Sequence, residues 1–269
     1  MPIVTFTSDY GWNDPDTAVV RGLLYSEMAR LNCNGTVVDI SHGIALRNHQ
    51  EAAYVISSTY SSFPKGSIHL VLIDSFDLGQ HMPMLVEFDG HYFLGLNNGS
   101  LAFIPPGTVP NQVIQIDLRN RLDEGGVEAK LAAAVAHLAN GGLASLLGPP
   151  LREFNRLHFP HPEIKNSHTA IVHVQFIDHF GQIITNASET WLSSWHAGHS
   201  FVALVRGRRV TTLLENAGQL KDPSLLYYRM NRYGFLEIGI SQPGANGQNA
   251  AARLLGVSVQ DPIELQRAL

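Results

Sequence analysis

Residues 3–7 carry the sequence IVTFT, a short apolar and β-branched run that predicts a buried strand. The turn-rich stretch SDYGWNDP follows at residues 8–15, and apolar residues then recur at helical spacing over residues 16–31. Gly35 ends this predicted helix, and TVVDI at residues 36–40 predicts the next strand. The order of strand, helix and strand predicts a β-α-β unit.

The same order repeats in the next stretch of the chain. Residues 48–60 have the pattern of an amphipathic helix, and residues 68–73 form a continuous apolar run typical of a buried strand. Two successive β-α-β units predict a parallel sheet with right-handed crossovers. Asp89-Gly90 then separates two apolar runs, at residues 84–88 and 91–94, which predicts a hairpin.

The alternation of strand and helix continues to residue 140, and the pattern then changes to short strands. Residues 112–118 predict one more strand, and the alanine-rich residues 127–140 predict a helix packed closely on the sheet. Residues 148–166 are rich in Pro, His and Asn and predict a domain boundary. Short strand patterns without a long helix between them predict a small β-sandwich or barrel. They lie at residues 168–177, 183–186, 201–206, 224–230 and 235–240. We therefore expect an α/β protein with a parallel-sheet α/β domain at residues 1–160 and a smaller all-β domain at residues 167–269.

The composition limits the classes of partner. The 269 residues are 45% hydrophobic with a formal net charge of −5, which argues against a nucleic-acid surface. The basic stretch RGRR at residues 206–209 is interpreted as a hairpin turn with solvated charges. Cys33 is the single cysteine, so neither an intramolecular disulfide nor a cysteine-based zinc site is expected. The sequence shows no targeting segment and no apolar run of membrane-spanning length, so we expect a cytoplasmic protein without nucleic-acid or membrane partners.

Acidic and histidine side chains collect where the predicted parallel strands end. Asp9 follows the first strand and Asp74 follows the third. Asp39 and His42 lie at the end of the second. Because the carboxyl ends of parallel strands share one edge, where open α/β proteins bind ligands, we expect a site there. A carboxylate of the first loop, Asp9 or Asp14, either accepts both hydroxyls of a ribose or caps the following helix.

Other chemistries have weaker support in the sequence. The strand-end carboxylates and His42 suit several divalent metals, but no closely spaced helical histidine pair accompanies them. His158 and His161 lie in the predicted linker. The glycine-rich signatures of dinucleotide and nucleoside triphosphate sites are absent, as is the Gly-x-Ser-x-Gly elbow. We therefore expect neither a bound metal nor a cofactor.

Six segments, in order along nearly the whole chain, resemble those of a known family. They are TSDYG at residues 7–11 with Asp14 and Arg21-Gly22, VVDISH at 37–42, FPKGSIHLV at 63–71, HYFLG with NNG within 91–99, DHFGQ with Thr185-Asn186 within 178–186, and GFLEI with AARLLG within 234–256. The family is that of the S-adenosylmethionine (SAM) hydroxide adenosyltransferases. It comprises SAM hydrolases, which yield adenosine and methionine, and related halogenases.

The resemblance implies an N-terminal α/β domain, a C-terminal β domain and a homotrimer that binds SAM or adenosine between subunits. It assigns Asp9 to the ribose hydroxyls, with Asp14 retained in the same loop. The resemblance also implies four further contacts with the ligand. Asp178 and Phe180 form the pocket wall and the end that holds the amino-acid group of SAM, and Arg232 and Tyr233 contact its methionine portion.

The family's hydrolases hold the attacking water with an aspartate, an arginine seven residues later and a distant histidine. Asp74 matches the aspartate, whereas the arginine position falls on His81. The histidine segment falls on GVEA at residues 126–129, and the loop SFDLG at residues 75–79 also differs from that of the family.

These differences leave three interpretations open. His81 replaces the arginine as a group that orients water or accepts a proton, unless it is an exposed loop residue. Alternatively, the chain binds an adenosyl compound without cleaving it, or it uses another nucleophile or substrate. The leading hypothesis is a SAM hydrolase that forms adenosine and L-methionine, with Asp74 and His81 as its catalytic residues.

Overall fold

The computed structural model describes residues 1–75, 81–104, 108–117, 126–215, 225–241 and 250–267. The chain divides into two compact units, the N-terminal unit Met1–His158 and the C-terminal unit Phe159–Leu269. Parts of three predicted features lie outside the described residues: the loop at 76–79, the end of a strand at residue 118 and the start of a strand at residue 224.

The described part of the N-terminal unit combines strands and helices in alternation. Its strands are β1 (Ile3–Ser8), β2 (Thr36–Ser41), β3 (Ile68–Leu72), β4 (Pro83–Phe88), β5 (His91–Leu96) and β6 (Gln112–Gln115). Its helices are α1 (Pro15–Arg30), α2 (His49–Thr59) and α3 (Val127–Ala139), with 3₁₀ helices at Tyr60–Ser62 and Ala144–Leu146. The strands form one sheet in the order β2-β1-β3-β5-β4-β6. Strands β2, β1, β3 and β5 run parallel, and β4 is antiparallel to both of its neighbours.

The β4–β5 connection confirms the predicted hairpin. Asp89 and Gly90 have positive φ angles of 49° and 71°. Two successive residues in this region match the right-handed twist of the strands that they join, which explains the choice of an Asp-Gly pair. The predicted β-α-β order is also confirmed, with element boundaries that differ by one or two residues from those expected.

Helices α1 and α3 pack on the same face of the sheet. Their buried side chains share one apolar cluster with alternate residues of β1 and β3. The members from α1, β1 and β3 are Val20, Leu24, Met28, Val4, Phe6, Ile68, Leu70 and Leu72. Four of the alanines of α3 are buried, Ala132, Ala133, Ala134 and Ala136, which agrees with close packing of this helix on the sheet.

The opposite face of the sheet carries a buried histidine pair. His69 and His91 are 3% and 0% exposed, and His69 Nε2 lies 3.2 Å from His91 Nδ1. His69 Nδ1 lies 2.7 Å from Thr5 Oγ1, and the ring of Phe93 stacks on that of His69. Burial lowers the pKa of His69 to about 3 and also lowers that of His91. Both rings are therefore neutral in the folded protein near pH 7.

The histidine pair predicts that stability falls on acidification. An unfolded histidine takes up a proton near pH 6.5, whereas folded His69 takes one up only near pH 3. Between these values the unfolded state binds more protons, so the free energy of unfolding falls by about 1.4 kcal/mol per pH unit for this group. Urea unfolding of His69→Gln should show a smaller dependence on pH than the wild type over this interval. A constant stability difference between the two proteins from pH 6.5 to pH 4 would contradict this account.

The described part of the C-terminal unit is mainly β-structure. Its strands are β7 (Glu163–Ile164), β8 (Thr169–Ile177), β9 (Ile183–Ser188), β10 (Phe201–Val205), β11 (Arg208–Val210), β12 (Thr212–Leu213), β13 (Leu226–Met230), β14 (Phe235–Ile240) and β15 (Pro262–Arg267). Its helices are α4 (Glu189–His196) and α5 (Ala251–Leu255). The strand order is β11-β10-β15-β8-β9-β14-β13-β12, with β7 paired to β8. Because β11 also contacts β13, the sheet nearly closes on itself, as expected for a barrel.

Helix α4 and strand β15 are among the elements of this unit that were not predicted from the sequence. Helix α4 has only eight residues, and its stability depends on the burial of Leu192 and Trp195 and on the Ser188 side chain, which accepts a hydrogen bond from the amide of Trp191. Strand β15 lies between β10 and β8, so its existence depends on partners distant in sequence. Among the described residues, no helix combines the length and the apolar character that a membrane crossing requires.

Candidate functional site

The register of β1 and β3 brings two carboxylates to one edge of the sheet. Ser8 at the end of β1 pairs with Leu72 at the end of β3. The amide of Asp9 then donates to the carbonyl oxygen of Leu72 at 3.3 Å. Asp9 and Asp74 consequently leave the sheet side by side, at the edge where ligands bind in open α/β folds.

The carboxylate of Asp9 joins two loops. Its Oδ2 accepts hydrogen bonds from the backbone amides of Arg47 at 2.8 Å and of Asp74 at 3.1 Å. Arg47 lies between β2 and α2, whereas Asp74 follows β3. Asp9 is only 8% exposed, so water competes little for these charge-assisted hydrogen bonds. One oxygen atom therefore fixes the relative positions of two segments that are distant in sequence.

Arg47 and Asp74, whose amides donate to Asp9, both have unusual backbone angles and contact each other. Their φ angles are 60° and 51°, in a region that residues other than glycine rarely adopt. Arg47 Nε lies 2.8 Å from Asp74 Oδ1. His49 Nε2 lies 3.9 Å from Asp74 Oδ2, beyond hydrogen-bonding distance. Burial lowers the pKa of His49, although Asp74 opposes this effect.

A cavity of about 290 Å³ opens beside these loops. Its lining among the described residues is Asp9, Tyr10, Asp14, Asp16, Leu46, Asp74, Ser75 and Glu128. Five of these residues carry carboxyl groups. A cleft lined by charges of one sign concentrates ligands of the opposite sign, so this cavity favours a cationic ligand.

Tyr10, Ser75 and Glu128 form one wall of the cavity. Ser75 Oγ donates to the Tyr10 hydroxyl oxygen at 2.9 Å, and the Tyr10 hydroxyl donates toward Glu128 Oε1 at 3.5 Å. Burial strongly raises the pKa of Tyr10, and the Glu128 carboxylate raises it further. The phenol therefore stays protonated at physiological pH and can position a ligand, but it does not act as a base.

Asp14 caps helix α1. Its Oδ1 accepts a hydrogen bond from the amide of Asp16 at 2.9 Å, and Pro15 occupies the first helical position. The capping alternative is therefore confirmed for Asp14, which also lines the cavity. Asp9 instead bonds the amides of two other loops. The assignment of Asp9 and Asp14 to ribose hydroxyls stays a prediction.

Asp39 and His42 belong to a network of their own at the end of β2. Asp39 Oδ2 pairs with Arg21 at 3.3 Å, and Asp39 Oδ1 lies 3.1 Å from His42 Nε2. His42 Nδ1 lies 2.7 Å from Ser8 Oγ. These side chains are not in the described lining of the cavity. Within the described ranges, no group of three or more His, Cys, Asp or Glu residues is placed to hold a metal ion.

His81 is not in the described lining of the cavity. Burial is the main cause of the lowered pKa of His49, and His81 lowers it further, which indicates that the two imidazoles are close. The predicted catalytic role of His81 is not tested by this arrangement.

The four predicted site residues of the C-terminal unit lie in two turns. Asp178 Oδ1 accepts hydrogen bonds from the amides of Phe180 and Gln182 at 3.0 and 2.8 Å, which shapes the β8–β9 turn. The Phe180 ring is 60% exposed. Arg232 lies in the β13–β14 turn, 4.8 Å above the ring of Tyr233.

These two turns lie at opposite ends of the β9–β14 pairing. Ile183, next to the Asp178 turn, pairs with Ile238, whereas Ser188 pairs with Phe235, next to the Arg232 turn. The two pairs are three residue steps apart along β14, which corresponds to roughly 10 Å, and β9 bulges over the same stretch. Within one chain, the structure does not bring the Asp178 turn and the Arg232 turn together.

The N-terminal unit has a second and larger cavity, of about 890 Å³. It lies beside β6 and the segment 145–158, with Arg152 and Arg156 in its lining. Strand β6 is separated from β3 by β4 and β5. This cavity is therefore remote from the strand ends that carry Asp9 and Asp74, and the smaller acidic cavity is the candidate site.

Comparison with known families identifies the chain's relatives. Residues 4–148 match the model of the SAM hydroxide adenosyltransferase N-terminal domain, and residues 172–264 match that of the C-terminal domain. The chain belongs to the SAM hydroxide adenosyltransferase family. The cavity lies within the part of the chain that the N-terminal model covers.

Two named relatives of this family member match nearly the whole chain. A protein of Methanocaldococcus jannaschii named (R)-S-adenosyl-L-methionine hydrolase is 23% identical over 98% of this chain and 96% of its own length. A protein of Thermus thermophilus with the same name is 26% identical over 97% of this chain and 98% of its own length. A crystal structure of an uncharacterized conserved protein from Thermotoga maritima has a TM-score of 0.81 at 20% identity, over 98% of this chain and 100% of that one. This structural likeness shows the fold.

Three residues near the site of this SAM hydroxide adenosyltransferase family member were missed by the sequence analysis. Arg47 lies in the loop before α2, and His49 is the first residue of that helix. Neither belongs to a sequence signature, and both reach Asp74 only through the tertiary fold. Glu128 lies in the segment where the family's histidine was sought, and the structure places its carboxylate in the cavity lining. An acidic residue in the first turn of a predicted helix was the available signal for Glu128.

Asp9 should contribute more to stability than its neighbour Asp14. Asp9→Ala removes the acceptor of two amides, at a cost of about 1–3 kcal/mol for each donor left unpaired. Asp14→Ala removes one exposed helix cap, at a cost of about 1 kcal/mol. Urea unfolding of both variants at pH 7 measures the difference. Equal losses would show that the Asp9 hydrogen bonds do not hold the two loops.

Proposed function

We propose that the protein hydrolyses SAM to adenosine and L-methionine by attack of water or hydroxide at the ribose 5′ carbon. The observation that carries the proposal is the acidic cavity at the ends of β1 and β3, with Asp9 and Asp74 in its lining, in a member of the SAM hydroxide adenosyltransferase family. Relatives that match nearly the whole chain are named (R)-S-adenosyl-L-methionine hydrolase.

The charge of the cavity suits this substrate. SAM carries a positive sulfonium, a positive ammonium group and a negative carboxylate, so its net charge is positive, and the cavity lining has five carboxyl groups. The same negative field attracts the cation and repels anionic nucleophiles, halide and hydroxide ions alike, but not neutral water. Water is therefore a better-matched nucleophile at this site than fluoride or chloride, which supports hydrolysis over halogenation.

The reaction needs little covalent help from the protein. The water oxygen forms a bond to the 5′ carbon while the carbon–sulfur bond breaks, and the bonding pair leaves on sulfur as the neutral thioether of methionine. Because the leaving sulfonium is already cationic, no general acid is required. The protein must hold the water in line at about 3–3.5 Å from the carbon and accept its proton. We assign the orientation of the water to Asp74, with His81 as the second catalytic residue.

Substrate contacts complete the proposal. We assign the ribose hydroxyls to Asp9, with Asp14 in the same loop, and the amino-acid portion to Asp178, Phe180, Arg232 and Tyr233. The alternative of an adenosyl-binding module without catalysis is not favoured, because the named relatives are hydrolases. The proposal also retains the cytoplasmic location expected from the sequence, which cell fractionation tests.

Purified protein incubated with SAM should release adenosine and methionine in equal amounts, as separated by liquid chromatography. Asp74→Asn keeps the shape of the side chain and tolerates the positive φ, but it removes the negative charge. We expect its kcat to fall by about 10²-fold or more. Asp89→Asn, in the β4–β5 turn, also has a positive φ and is the matched control. Binding of SAM by calorimetry without adenosine above the uncatalysed background would establish the non-catalytic alternative instead.

A homotrimer with sites at subunit interfaces forms part of the proposal. The Asp178 turn and the Arg232 turn lie at opposite ends of the β9–β14 pairing, so contributions from two subunits would allow both to serve one ligand. Light scattering coupled to size exclusion should give three times the chain mass of 29.5 kDa. A monomeric mass together with full hydrolytic activity would refute the interface sites.

A further inference from the structure

Arg47 is placed to control the one carboxylate on which the proposed reaction depends. We infer that Arg47 is a positioning residue for Asp74, holding its carboxylate in the orientation that faces the substrate. The inference rests on the proposed hydrolase function and extends it to a residue that neither the sequence motifs nor the family resemblance assigns. Arg47 itself is not in the described lining of the cavity, so it acts through Asp74.

The backbone around this pair is held from several directions. The amides of Arg47 and Asp74 both donate to Asp9 Oδ2, at 2.8 and 3.1 Å. Asn98 Nδ2 donates to the carbonyl oxygens of Ile73 at 2.8 Å and of Asp74 at 3.3 Å. Left-handed backbone at non-glycine residues persists only where surrounding contacts determine it, and such residues concentrate at functional sites.

The side chains then complete a closed loop of contacts. With both backbones fixed by Asp9, the Arg47 side chain reaches Asp74 Oδ1 through Nε at 2.8 Å. This ion pair favours one orientation of the carboxyl group, because the attraction is strongest when Oδ1 lies against the guanidinium. The other oxygen, Oδ2, lies 3.9 Å from His49, too far for a hydrogen bond. Of the two described side chains that form ion pairs with this carboxylate, Arg47 is therefore the one close enough to orient it.

The exposure of Arg47 argues against a mainly structural role. Its side chain is 62% exposed and that of Asp74 is 30% exposed. Ion pairs with this much exposure add little to the stability of a fold. Arg47 is also the permanently charged partner of Asp74, because burial lowers the pKa of His49 and keeps that ring neutral near pH 7. The ion pair between Arg47 and Asp74 therefore acts mainly on the orientation and the charge environment of the Asp74 carboxylate.

The test compares three variants in steady-state SAM hydrolysis. Arg47→Met keeps the length of the side chain without its charge, and Arg47→Lys keeps the charge without the planar fork. Arg30→Met is the matched control, since Arg30 forms an exposed ion pair with Glu27 on α1, away from the cavity. We expect kcat to fall by about 10²-fold in Arg47→Met, as for other small displacements of a reacting group. Arg47→Lys should recover part of this loss, and Arg30→Met should match the wild type.

The outcomes separate this inference from the proposed function. A fall in kcat with little change in KM or in the urea midpoint of unfolding supports the positioning role. Wild-type kcat in Arg47→Met, with adenosine still released, overturns the inference and leaves the proposed function intact. Equal losses of kcat and of the unfolding midpoint in both Arg47 variants would show a structural role and also overturn it. If the wild type releases no adenosine, both proposals are wrong.

Discussion

The site depends on one hydrogen-bonding arrangement, in which a nearly buried carboxylate oxygen of Asp9 accepts two backbone amides. These amides belong to the loop after β2 and the loop after β3, so a single atom joins three segments at the sheet edge. Charge-assisted hydrogen bonds in a poorly hydrated position are among the stronger interactions of a folded chain. They offset the cost of two left-handed residues, Arg47 and Asp74, and this backbone geometry directs the two side chains toward each other.

Asp9 therefore has a structural role that precedes any contact with a ligand. The family resemblance directs attention to its charge as a partner for ribose hydroxyls, whereas the structure shows that Oδ2 is already occupied by the protein itself. The two roles are compatible, because a carboxylate has two oxygens with about four acceptor positions. A carboxylate held rigidly by backbone amides is also preorganised for binding, since it loses little freedom when the ligand arrives.

The electrostatics of the cavity follow from the same sheet edge. Parallel strands bring their following loops together, and helices α1 and α3 add acidic residues from their N-terminal ends, where carboxylates are favoured by the helix dipole. Three acidic residues therefore have two effects, since they stabilise the helix N-termini and also give the cavity negative charge. They are Asp14, Asp16 and Glu128. The carboxylates that line the cavity are therefore spread along the sequence, and the fold brings them together.

Hydrophobic periodicity and turn chemistry determined the N-terminal architecture, because a strand, an amphipathic helix and an Asp-Gly hairpin are encoded by neighbouring residues. The ordered segments from Thr7 to Gly256 likewise identified the family. Helix α4 and strand β15 escaped prediction because both are stabilised by partners far away in sequence. Tertiary structure alone decided that Arg47 meets Asp74 and that the Asp178 and Arg232 turns lie apart, since strand pairing and register set these distances. Local sequence thus specified which elements form and which carboxylates end the strands, and long-range packing decided which side chains meet.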